Sequence, residues 1–181
     1  MTLLMNKTGI LAVTLLGFLL FSACGYQMVG KETHVPPGLS SIAIPTFKNS
    51  TFEPGIEIFF TQVFLNEFIQ DRRVKVVSRE EADCILEGVV RYFQMSSVAY
   101  GSTGFVSQYS ISVTANFTLK DRTGKVLWTE KGVGEGQWFQ VPSGSTSGTI
   151  GVATETAKQV GIQKAAGFMA ERIRNRFFYN F

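Results

Sequence analysis

Apolar and polar positions alternate most strictly over Tyr109–Leu119. Tyr109, Ile111, Val113, Ala115, Phe117 and Leu119 are separated by Ser110, Ser112, Thr114, Asn116 and Thr118. A period of two over that length predicts a strand with one face in a core and one polar face. Asp121-Arg122-Thr123-Gly124 predicts a hairpin turn, with Gly124 free to take a positive φ. Lys125–Trp138 is then the returning strand. Upstream, Asp83–Met95 reads as a long strand with Cys84, Leu86, Val90 and Tyr92 on one face, Glu87 and Arg91 on the other. Ser41–Phe47 and Val74–Val77 read as shorter strands. Pro45 has no N–H to give to a ladder and belongs at an edge or a strand end. Lys48–Phe52 reads as a polar turn, and Ser78-Arg79-Glu80-Glu81 as a capping box with one helical turn. Ser96–Ser107 and Val141–Thr149 are Gly/Ser/Thr-rich loops.

Two segments carry helical spacing. In Ile150–Phe178, Ile162, Ala165, Ala166, Met169, Ile173 and Phe177 form one stripe, and Gly161, Ala165 and Ala166 are small enough to lie close to a sheet. Gly55–Arg72, opened by Pro54, has apolar residues on two sides: Ile56, Phe59, Phe60 and Val63 on one, Ile58, Leu65, Phe68 and Ile69 on the other. A helix apolar on two sides is buried on two sides. One sheet covers one of them, which leaves the second to a partner or to the preceding chain.

The predicted order is strand, helix, four strands, helix. A strand–helix–strand start implies a parallel crossover and the hairpins imply antiparallel pairing. The expected fold is therefore an α/β (α+β) two-layer sandwich: a mixed, mostly antiparallel sheet of four to five strands with two helices on one face.

The N-terminus follows a different pattern. Ile10–Phe21 is apolar apart from Thr14 and Gly17, it follows the single charge Lys7, and Ser22, Ala23 and Cys24 come next. A basic start, a short apolar centre and small residues before a cut make a secretory signal. The run is shorter than the ~20 residues that cross a bilayer. Phe21-Ser22-Ala23-Cys24 resembles the bacterial lipobox, with Phe where Leu is preferred. That resemblance implies that Cys24 becomes an N-palmitoyl, S-diacylglycerol cysteine, and that Gly25 after it, in place of Asp, directs export to the outer membrane. The organisation expected is a cleaved signal over 1–23, a lipidated tether over 24–38 and one domain over 39–181.

Composition narrows the chemistry. The 181 residues carry a net charge of +3, one His and two Cys. That charge argues against a nucleic-acid binder, and one His with two distant Cys cannot form a His/Cys zinc site. Gly132-Val133-Gly134-Glu135-Gly136 lacks the third Gly and the following helix of a dinucleotide loop. Its glycines bare one side of a strand, leaving room for Trp128, Trp138, a helix or an acyl chain. Ser143-Gly144-Ser145-Thr146 is no nucleophile elbow, and His34, the only His, lies in the tether. No catalytic set, metal site or cofactor is expected. Cys84 reads as a small core residue. Arg91, Lys120, Arg122, Lys125 and Lys131 gather near the hairpin, where cations would hold the phosphates of a glycolipid or simply face water.

Cys24-Gly25-Tyr26, Val29-Gly30, Pro37-Gly38 and Ser41-Ile42-Ala43-Ile44-Pro45 resemble the opening of LPS-assembly lipoproteins of the LptE family. Asn49–Gly55 and Ala82-Asp83-Cys84-Ile85-Leu86-Glu87-Gly88 resemble the same family. The resemblance implies a non-enzymatic lipoprotein on the periplasmic side of the outer membrane. It would plug and support assembly of the LptD β-barrel, bind lipopolysaccharide and help deliver it to the outer leaflet. A plug role would account for the second apolar side of the first helix, with Phe64 and Phe68 as candidate barrel contacts. The other reading is a scaffold or binding lipoprotein of the envelope without a barrel partner.

Overall fold

A computed structural model describes residues 38–102, 104–141 and 147–179. Among the described residues six strands and two helices follow in chain order: β1 (Ser41–Ala43), β2 (Lys48–Asn49), α1 (Ile56–Asp71), β3 (Lys75–Val76), β4 (Cys84–Tyr100), β5 (Val106–Asp121), β6 (Val126–Gln140) and α2 (Ser147–Tyr179). The sheet order is β3-β1-β4-β5-β6, with β2 also paired to β4. The three short strands pair in parallel, and β4, β5 and β6 pair antiparallel. Both helices pack on one face. The expected two-layer mixed architecture is present, with six strands in place of four to five.

The extra strand comes from a break at Pro45. The expected single strand Ser41–Phe47 is divided: β1 pairs β4 at Cys84 and Ile85, and β2 pairs it again at Val89 and Val90. The residues between step out of the ladder at the proline, which has no N–H to donate. Lys48 and Asn49, expected in a turn, thus enter the sheet. Phe47 turns inward, and its N–H is held by the buried Thr61 hydroxyl at 2.9 Å. Its ring lies over Gly88, where a Cβ would come within 2.8 Å of ring carbons. Ser78–Glu81 closes as a turn, Glu81 N–H to Ser78 O at 3.2 Å, without forming a helix.

The long strands exceed their sequence pattern. The composition of Ser96–Ser107 predicts a loop, but most of it continues the β4–β5 ladder to Tyr100↔Val106. Gly101 N–H to Phe105 O at 2.8 Å closes the tip. Pairing with a neighbour holds Ser- and Gly-rich segments extended where their own propensity does not.

The core lies between the helices and the inner face of β4–β6. Ile111, Val113, Ala115, Phe117 and Leu119 of β5 are all buried, as are Ile162, Ala165, Ala166, Met169, Ile173 and Phe177 of α2. Gly161 brings α2 close, since a Cβ there would stand 3.1 Å from Ile111 and 3.2 Å from Phe139. Helix α1 buries the row Ile56, Phe60, Phe64 and Phe68, spaced by four. Phe64 stacks on Phe117 at 4.9 Å, and Phe68 meets Phe177 edge-on at 5.9 Å. Arg174 ties the helices through Glu67 at 2.6 Å and Asp71 at 3.5 Å.

These contacts correct one expectation. Phe64 and Phe68 are 0% exposed and belong to the domain's own core, so they offer no surface to a barrel. The row faces the seam between sheet and α2, which covers more of the helix than a sheet alone. The exposed apolar residues of α1 are Ile58 and Ile69.

Candidate binding surface

The face of the sheet away from the helices divides along its length. At the end where β4 begins, charge dominates. Asp83 accepts the N–H and hydroxyl of both Ser40 and Ser41, at 2.8–3.1 Å, and an Arg122 N–H at 3.1 Å. Arg122 also donates to the carbonyls of Ala82 and Glu81. The Ser40 and Ser41 hydroxyls lower the Asp83 carboxyl to about 2. The Ala82-Asp83-Cys84 segment is thus a clamp joining the starts of β1 and β4 to the β5–β6 turn. The neighbouring Cys84 thiol is pushed up to about 12 by burial and is inert as a thiolate.

The five candidate cations all lie on this half, but they do not converge on one site. Lys120 pairs with Glu87 at 2.6 Å, Arg79 approaches the same carboxylate at 3.6 Å, and Arg122 is committed to Asp83. Arg91, Lys125 and Lys131 are exposed, and no salt bridge among the described residues holds them. Arg91 sits where the β4 register shifts between Val90 and Tyr92. An extra residue in one strand reverses its facing. Tyr92, expected in the core, therefore points outward, while Phe93 and Met95 pack inward. Lys131 occupies a similar shift in β6 beside Gly132, whose φ is +66° and whose N–H reaches Asn116 Oδ1 at 2.9 Å. Cys24 lies outside the described residues.

Beyond these bulges the open face changes character. Directly paired residues of antiparallel strands share a face. The register gives three outward rows: Tyr92–Thr114–Gly134, Gln94–Ser112–Gly136 and Ser96–Ser110–Trp138. None of the nine residues is charged. A Cβ at Gly134 or Gly136 would meet only ordinary contacts, 3.6 Å or more, to β5 and to Gly132 O. Among the described residues neither a helix nor a tryptophan fills the space these glycines leave. Residue-by-residue reading missed this surface, although one signal was present: no Asp, Glu, Lys or Arg occurs from Tyr92 through Leu119.

Among the described residues no helix is long and apolar enough to cross a membrane, and no cluster of three His, Cys, Asp or Glu could hold a metal ion. A model of the LptE lipopolysaccharide-assembly family matches residues 39–177. No curated protein matches the chain. The fold is similar to protein CT253 from Chlamydia trachomatis, with a TM-score of 0.50 at 10% identity over 77% of this chain and 98% of that one. Rare lipoprotein B from Shewanella oneidensis gives 0.46 at 13% identity, over 75% of this chain and 94% of that one. Lipoprotein B from Nitrosomonas europaea gives 0.49 at 14%, over 83% and 91%.

Proposed function

We propose that this chain, which belongs to the LptE lipopolysaccharide-assembly family, is an outer-membrane lipoprotein that plugs and supports an LptD-type β-barrel and helps deliver lipopolysaccharide to the outer leaflet. The observation that carries this reading is the family match across nearly the whole domain that follows the tether. In this reading residues 1–23 are removed and residues 24–38 tether the domain. Cys24 takes an N-palmitoyl and an S-diacylglycerol group, since stable anchoring needs more than one acyl chain. The domain then hangs on the periplasmic side. Arg91, Lys125 and Lys131 remain candidate cations for lipopolysaccharide phosphates, as their charges are not neutralised by a salt bridge. Lys120 and Arg122 would have to exchange an internal carboxylate for a phosphate, which makes them weaker candidates.

The exposed Ile58 and Ile69 of α1 supply apolar surface that the domain itself leaves uncovered. A barrel lumen presents inward-facing side chains against which such a surface can lie. The test is a photo-crosslinking residue placed at Ile58 or Ile69 in living cells. Recovery of the LptD-type barrel is expected. Crosslinks confined to other envelope proteins would sink the plug reading and favour a scaffold lipoprotein. A Cys24→Ser variant should retain its signal and run as the unprocessed form on gels.

A further inference from the structure

We infer that the uncharged half of the open sheet face is a binding platform for a neutral oligosaccharide. The nine residues of the patch carry no charge to attract an ion, and its centre is hydroxyl and glycine, too polar to favour an acyl chain. What it offers is aromatic rings and hydroxyl groups around a bare floor. A sugar ring has a C–H face and a rim of hydroxyls. The negative face of an aromatic ring attracts the first, while side-chain hydroxyls and amides both donate to and accept from the second.

Two rings flank the floor. Trp138 is 68% exposed and Tyr92 47%, on β6 and β4 respectively. Rows about 6.7 Å apart on strands about 4.8 Å apart place their Cα atoms ~16 Å from each other, a span suited to a short oligosaccharide. Between them Gly134 and Gly136 remove side chains from β6, and Ser112 and Thr114 stand on β5. Among the described residues no hydrogen bond engages the Ser112 or Thr114 hydroxyl, which leaves both for a ligand. Tyr92 donates to Gln94 Oε1, and Gln94 donates on to Ser96 at 3.3 Å, a row of polar groups along β4 beside the floor. The glycines are the most telling part. In a strand they weaken pairing, and among the described residues nothing comes closer than ordinary contact to the room they make.

The ligand class follows from the patch alone. Its identification with the sugar portion of lipopolysaccharide rests on the function proposed above. The charged half next to it, with Arg91 and Lys131 at the boundary, would then lie toward the phosphates of the same molecule.

The test is calorimetric titration of the mature lipoprotein in detergent with core oligosaccharide freed of lipid, phosphate and acidic sugars. Binding is expected, weakened at least tenfold by Trp138→Ala and by Gly136→Val. The valine suits a strand and its Cβ meets only ordinary contacts, so its circular dichroism spectrum should match the parent; Gly134→Val is the second variant should Gly136→Val misfold. Phe168→Ala, an exposed ring on α2, should leave binding unchanged. No heat with the oligosaccharide, or equal affinity in folded Gly136→Val, overturns the inference. So does quenching of Trp138 fluorescence by brominated phospholipid vesicles without any glycan binding, which would mark a bilayer contact. Uptake of intact lipopolysaccharide alongside failure with the oligosaccharide would sink the platform and leave the transport reading standing. Trp138-dependent oligosaccharide binding with no uptake of lipopolysaccharide and no barrel recovery would do the reverse.

Discussion

Strand β5 separates two surfaces made by one alternation. On its helix side, Phe117 lies 5.8 Å from Phe47 and 4.9 Å from Phe64, ring centre to ring centre. One residue along, Thr118 and Asn116 point the other way, to a face that carries neither helix. The pattern decides which residues go together. What lies above each face decides what they do. Buried rings supply stability through burial and close packing, and the uncovered face has its chemistry left over for a ligand. The glycines repeat this contrast. Gly88 is required on the inner face because Phe47 rests on it, whereas a Cβ at Gly134 or Gly136 would meet only ordinary contacts.

The comparison can be broken by mutation, and the largest effect belongs to the core. Phe64→Ala should destabilise the domain by about 3–5 kcal/mol in urea titration, as expected for truncating a buried aromatic. Folding with near-native stability but loss of the barrel would restore Phe64 as a surface contact. Next is Gly88→Ala, whose methyl group must displace the Phe47 ring. Its cost should be about 1–3 kcal/mol, the usual range for overpacking. A shift of less than half a kilocalorie would mean that Phe47 moves freely, contrary to its packing.

The third prediction concerns the charged end. Asp83 has its carboxyl near 2 in the fold against an ordinary 3.8. A depressed carboxyl stabilises the fold above its unfolded value and loses that contribution as the folded group becomes protonated. The parent should therefore lose stability between about pH 4 and 2 through this group. Asp83→Asn should be less stable at pH 7 and decline less steeply over that window. Parallel acid profiles for the two proteins would remove the clamp from the account. The smallest effect is expected on the open face. Gly136→Ala should change stability by no more than about 0.5 kcal/mol, the range of unremarkable surface changes. A core-sized loss there would mean that the glycine floor is structural.

Much of this fold is legible from local pattern. The α2 stripe and the β5 alternation locate the core directly, because a period of 3.6 or 2 puts its apolar members on one side whatever the element packs against. The reading fails where one residue changes the register. Arg91 in β4 carries no mark of being an extra residue, yet it turns Tyr92 outward and Phe93 inward. Pro45 gives a visible warning of a strand end, but not that the chain resumes pairing three residues later, at Lys48. The candidate cations were legible as a group by position along the chain. Their separation into engaged and unengaged members was not, since Glu87 and Asp83 meet them only across strands.

By itself, the sequence determined the two-layer architecture, the inward row of β5, the packing face of α2 and the absence of charge from Tyr92 to Leu119. These are properties of composition and period, which local chemistry settles. The tertiary structure alone decided that Phe64 and Phe68 close the domain's own core, that Asp83 joins three chain segments, and that Tyr92, Trp138 and two glycines share one uncovered face. Each of those depends on register between distant strands and on how much of a helix its neighbours cover, and neither quantity is written in any single segment.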